Sequence, residues 1–193
     1  MKLTVSRFCL VLALCLQAAQ AAEPGAVVRE ATEKMLVLIE RNQADYRASS
    51  SRFYTMVDKV MLPSFDLQRI GHETLGSHWR SATTSQRKRL AATFKNSLIH
   101  SYADAVLAQY EGLEMEWAAA SGADSAVVRA TLIRPGNRPT ALAFSMASSQ
   151  GQWKIHDVVV DGVSLAAGLR SQFNSEIARN GLEGLLQRLE SPR

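Results

Sequence analysis

Few residues in this chain are of the kinds that make or break bonds, and their spacing argues against that use. Its four histidines are His72, His78, His100 and His156, and its two cysteines are Cys9 and Cys15. His72 and His78 stand six apart with Glu73 between them. That is neither the His-Glu-x-x-His zinc pattern nor a spacing that stacks two ligands on one helical face, so no metal site is expected. His100 and Asp104, four apart, read as a partly exposed side-chain pair on a helix. His156 and Asp157 are neighbours in a strand-like run, so they should point to opposite faces and cannot form one acid–base pair. Gly162-Val163-Ser164-Leu165-Ala166 approaches a nucleophile elbow, but it ends in Ala and follows an antiparallel rather than a parallel strand. Ser164 is expected instead to cap the helix that follows. No catalytic residue and no cofactor are assigned.

The N-terminal segment explains both cysteines. Lys2 and Arg7 precede an apolar run from Phe8 to Leu16, and Ala19-Gln20-Ala21 supplies a small-residue cleavage pattern. Residues 1–21 are therefore read as a secretory signal peptide, since the run is about half of the ~20 residues a membrane-spanning helix needs. Residues 22–193 are read as a single domain without internal repeat, low-complexity tract or linker. Cleavage removes both cysteines together with Lys2 and Arg7, bringing the formal charge of +4 closer to neutral. Near-neutrality and export argue against nucleic acid as the partner of the basic run Arg87-Lys88-Arg89, which reads as a solvated helix face.

The elements alternate in character along the chain, which has 193 residues of 47% hydrophobic and 21% charged composition. Pro24 suits a first helical turn, and Val27, Val28, Ala31, Met35 and Leu38 keep helical spacing to about Asn42. A second helix is predicted from about Ser51 to Leu62, stopped by Pro63. Asp66 can cap a third, Gly76 can end it, and Thr83 to Ser85 offer caps for the longest helix, about Ser85 to Tyr110. That helix carries Leu90, Phe94, Leu98, Tyr102, Val106 and Tyr110 at a constant step of four. At 3.6 residues per turn, each step drifts about 40°, so the stripe winds roughly 200° around the axis and needs several neighbours. From Leu113 to Val160, alternation with turn signals at Pro135-Gly136-Asn137 and Ser148 to Gly151 predicts four antiparallel strands. Helical spacing returns at Leu165, Leu169, Phe173 and Ile177, with Gly181 as a stop before a short last helix. The fold class is α+β, with helices enclosing one face of a twisted four-stranded antiparallel sheet.

Two blocks carry a family resemblance. One runs from Leu62-Pro63-Ser64-Phe65-Asp66-Leu67 through Leu75-Gly76-Ser77-His78-Trp79-Arg80-Ser81-Ala82-Thr83, then Gln86-Arg87 and Phe94 to Ile99. The other runs from Asp157 to Leu165, then Arg170-Ser171-Gln172-Phe173-Asn174 and Gly181 to Leu185. In both, the chain resembles the MlaC family, also called the toluene-tolerance family. The resemblance covers nearly all of the expected mature domain and is weakest from about Glu111 to Ser149. It departs from the usual pattern at His78, where the family often has Tyr before Trp, and at Leu169, where an aromatic is common.

That resemblance implies a periplasmic phospholipid carrier, not an enzyme. It implies shuttling between an outer-membrane lipoprotein–porin complex and an inner-membrane ABC transporter, maintaining outer-membrane lipid asymmetry. It also implies an apolar lipid cavity between sheet and helices, with the headgroup near solvent. Two acyl chains expose about 30 methylenes, at ~0.8 kcal/mol each on the order of 25 kcal/mol, so a carrier has only to keep them dry. Broad headgroup tolerance is expected. The expected lining is Phe65, Ile70, Leu75, Trp79, Phe94, Leu98 and Tyr102 from the helices, with Val128, Leu142, Phe144 and Val160 from the sheet. Arg80, Arg87, Lys88 and Arg89 are candidates for a docking surface on a monomeric carrier. An envelope scaffold without lipid cargo is the first alternative, and a small hydrolase or isomerase using Asp157 or His100 near an apolar pocket is the second.

Overall fold

The computed structural model describes residues 23–118, 120, 122 and 124–191. The expected signal peptide lies outside the described residues.

The described residues form six α-helices and one antiparallel sheet. Helix α1 (Pro24–Ala48) starts with proline in its first turn and bends at Asn42, where φ and ψ of −123° and 21° leave the helical region. The expected end at Asn42 is thus a bend, after which the helix resumes. Helix α2 (Ser50–Val60) gives way to a 3-10 turn, Leu62–Ser64, built around Pro63. Asp66 caps α3 (Leu67–Leu75), its side chain accepting from the Arg69 N–H at 2.9 Å. Gly76 ends α3 at a φ of 54° that favours glycine, and the chain turns into the short α4 (Ser77–Ser81), an element without a clear signal in the sequence. Thr83 and Gln86 close a reciprocal capping box on α5 (Thr84–Gln109).

The sheet is a meander in the order β1 (Glu114–Trp117), β2 (Ser125–Ile133), β3 (Thr140–Ser149), β4 (Gln152–Val160) and β5 (Val163–Ser164). It has five strands, where the sequence reading expected four. The additional strand exists because Asp161 and Gly162 both adopt positive φ, 47° and 84°. Such a pair makes the tight turn whose twist suits a two-residue hairpin, and Val163 and Ser164 fold back onto Val160 and Val159. Ser164 still caps α6 (Leu165–Glu190), as expected, accepting from the Ala167 N–H at 3.0 Å. Gly181 breaks α6 with a φ of 68° and a ψ of 175°, so its last turns, Leu182 to Glu190, set off in a new direction.

A register shift opposite Ser145 and Met146 leaves His156 unpaired in β4. This bulge lets Ile155 and then Val158 and Val160 face the same side as Met146, Phe144 and Leu142. Phe65 and Asp66 cover the β4 edge beside it: Phe65 bridges to Ile155, and the Asp66 N–H donates to the Ile155 carbonyl at 2.8 Å.

Among the described residues, packing divides into three apolar clusters. Ile70, Leu75, Leu90, Phe94, Phe173, Ile177 and the leucines after Gly181 join α3, α5 and α6. Val28 of α1 packs on the inward sheet face formed by Val128, Phe144, Met146 and Ile155. Ile39, Phe53, Met56, Ile99 and Leu107 join α1, α2 and α5. The winding of α5 is resolved as its drift requires: its first half faces α3 and α6, and its second half faces α1 and α2. Among the described residues no helix is long and apolar enough to cross a membrane.

Candidate functional site

Where α5 changes partners, its stripe passes over a gap. Buried positions shift from Leu90 and Phe94 to Ile99, Ala103 and Leu107, which leaves Leu98 half-buried and Tyr102 43% exposed. Opposite, α6 carries Leu169 and Phe173 at the same step of four. A cleft of about 620 Å³ opens between the two helices, a volume within the range of small-molecule sites. Its apolar wall is Leu98, Leu169, Phe173 and Leu189. Its polar groups are Ser97, His100, Ser101 and Tyr102 of α5, Gln172 and Arg188 of α6, and Ser191. Apolar and polar groups together suit an amphiphile, and none of the described lining residues is acidic.

The eleven expected lining residues occupy three environments. Ile70, Leu75 and Phe94 are buried in the α3–α5–α6 cluster, and Val128 and Phe144 are buried in the sheet cluster. Phe65, Trp79, Leu142 and Val160 are half-buried. Phe65 touches both clusters, and Leu142 and Val160 are paired across β3 and β4. Leu98 and Tyr102 line the cleft. Leu169, Phe173, Gln172, Arg188, Leu189 and Ser191 also line the cleft and are not among the expected eleven. A signal was present in the matching drift of Leu165, Leu169 and Phe173, which a comparison of the two stripes would have exposed.

The basic residues divide as well. Arg87 donates to the carbonyls of Trp79 at 3.0 Å and Arg80 at 3.1 Å, and its guanidinium lies 5.6 Å from the Trp79 ring centroid. It thereby satisfies carbonyls at the end of α4. Arg89 forms a bidentate bond to Glu190, at 2.9 and 3.0 Å, and reaches Glu183 at 2.7 Å. These carboxylates push the Arg89 pKa further up, and Arg89 holds Glu190 below the usual carboxylate range. Arg80 and Lys88 remain exposed.

Several side chains of catalytic type make structural contacts. Asp104 accepts from the Tyr54 hydroxyl at 2.8 Å, while His100 lies edge-on to the Tyr54 ring. Desolvation and then Asp104 push the Tyr54 hydroxyl pKa up. Asp157 accepts from the Ser164 hydroxyl at 2.6 Å and the Ala166 N–H at 3.0 Å, so Ser164 is tied to a helix start. His156 approaches Glu73 of α3, at 3.5 Å, and the bulge at His156 interrupts the strict alternation expected of the two neighbours. Among the described residues no group of three or more metal-ligating side chains comes together.

Residues 29–191 match the MlaC protein family. The chain belongs to the MlaC family. Among curated relatives, it is 26% identical over 161 residues to the toluene tolerance protein ttg2D of Pseudomonas putida, covering 82% of this chain and 74% of that one. It is 25% identical over 173 residues to the intermembrane phospholipid transport system binding protein MlaC of Haemophilus influenzae, covering 86% and 80%. Among solved structures, it matches the phospholipid-binding protein from Ralstonia solanacearum in complex with a phospholipid. That match has a TM-score of 0.80 and 28% identity, and covers 88% of this chain and 96% of that one. The MlaC match takes in α3, α5 and α6, and so the whole of the cleft between α5 and α6.

Proposed function

We propose that this MlaC-family chain is a periplasmic phospholipid carrier, exported by cleavage of residues 1–21. It shields acyl chains between inner-membrane and outer-membrane complexes and so maintains outer-membrane lipid asymmetry. The observation that carries this reading is the match, over 88% of the chain, to a protein solved in complex with a phospholipid. The open cleft with its apolar wall supports it. The tails lie against Leu98, Leu169 and Phe173. Opening of the seam between the helical clusters and the sheet brings in the half-buried Phe65, Trp79, Leu142 and Val160.

The work is binding and release, not catalysis. Donor and acceptor membranes offer the tails the same apolar refuge, so the carrier needs low barriers at each handoff more than high affinity. An ABC transporter complex on the inner membrane and a lipoprotein–porin complex on the outer membrane are the docking partners of the monomer, and Arg80 and Lys88 are its exposed basic contacts. Incubation of purified protein with phospholipid vesicles, followed by gel filtration and solvent extraction, tests the reading. The expected result is phospholipid eluting with the protein; protein that leaves the vesicles without lipid refutes it.

A further inference from the structure

The cleft is chemically lopsided. Among the described residues that line it, Arg188 is the one permanent cation and none is an acid. Behind it, Glu176 is buried to 8% exposure and accepts from the Asn180 amide at 2.6 Å. Two guanidinium groups share this one carboxylate at long range: Arg188 at 3.6 Å and Arg179 at 3.7 Å. The trio keeps one net positive charge. The other two acids of this end of α6, Glu183 and Glu190, are held by Arg89. Among the described residues the Arg188 guanidinium makes no hydrogen bond, and its side chain is 48% exposed. It therefore carries unspent donors in a fork whose geometry matches the paired oxygens of a phosphate.

Resting on the carrier reading above, we propose that Arg188 binds the phosphodiester of the cargo at the mouth of the cleft, with Ser97, Ser101 and Gln172 as neighbouring neutral donors. Glu176 positions the guanidinium from behind without neutralising it. The phosphodiester is shared by all glycerophospholipids, whereas the substituent beyond it meets solvent. Arg188 thus selects phospholipids over uncharged diacyl lipids and leaves the headgroup free to vary.

The test compares three probes on the delipidated protein: a short-chain phosphatidylcholine below its micelle concentration, the diacylglycerol with the same chains, and inorganic phosphate. Unaltered protein should prefer the phosphatidylcholine by at least about tenfold, as a charge-assisted contact implies, and should show no binding of inorganic phosphate at millimolar concentration. Arg188→Met should lose that preference and keep the diacylglycerol affinity, and Arg188→Lys should recover part of it. An unchanged preference in Arg188→Met, or tight binding of inorganic phosphate alone, overturns the proposal. If unaltered protein binds neither diacyl probe, the carrier reading itself fails. A structure of the unaltered protein with bound phosphatidylcholine decides the matter without variants: its phosphate should lie within hydrogen-bond reach of Arg188, and a phosphate elsewhere refutes the assignment.

Discussion

Leu98 and Phe94 stand one turn apart on α5 and show how little a residue's type reveals about its work. Phe94 is 1% exposed, in edge contact with Phe173, and truncating it leaves a cavity. Phe94→Ala should cost about 3–5 kcal/mol, measured by denaturant unfolding. Leu98 borders the cleft, where a charge can reach water. Leu98→Asp should abolish lipid uptake from vesicles while the unfolding midpoint moves little; a collapse of stability would mark the position as packed interior. Both residues sit on the same winding stripe, so the sequence marked them as equals. What separates them is the change of partner helix between them, which depends on where α6 lies. The polar residues were more legible. Asp66, Thr83 and Ser164 cap helices as their types and positions predict, because a cap is a local bargain between a side chain and the next turn.

Glycine governs the elements. Gly181 and Gly168 both lie in α6 with open space where a Cβ would go, yet only Gly181 has positive φ. Gly181→Ala should destabilise by about 1–3 kcal/mol through backbone strain alone. Gly168→Ala should stabilise by about 0.4–1 kcal/mol by limiting the unfolded chain. Thermal unfolding of the two variants, moving in opposite directions, checks the assignment. The segment after Gly181 is also tied to α5 through Arg89. Because Arg89 lowers the Glu190 pKa in the folded state, the unfolded chain binds the extra proton first as pH falls. This contribution is present above the ordinary glutamate value of 4.5 and is lost as pH drops through the lower folded value. Glu190→Gln should flatten the acid limb of the stability profile, and an unchanged limb would contradict the link. Gly181 was legible as a stop, while β5 was not. A two-residue strand has no alternation to detect, and its pairing follows from the two positive φ values before it.

At the scale of the whole molecule, the helical clusters and the sheet cluster meet along few shared residues, with Phe65 touching both sides. The α+β class and the order of helices, strands and helices were readable from periodicity. The position of the open cleft was not, because it arises from two helical stripes that drift past each other. A carrier needs such a seam, closed enough to fold without cargo and open enough to admit tails whose exposure costs on the order of 25 kcal/mol. A phospholipid carrier should leave the cell with its cargo bound. Native mass spectrometry of the protein recovered from periplasmic extract measures that directly. The mass should be that of residues 22–193 plus bound phospholipid, with several headgroup classes represented; a bare mature chain, even after brief and gentle isolation, would rule out carriage of phospholipid.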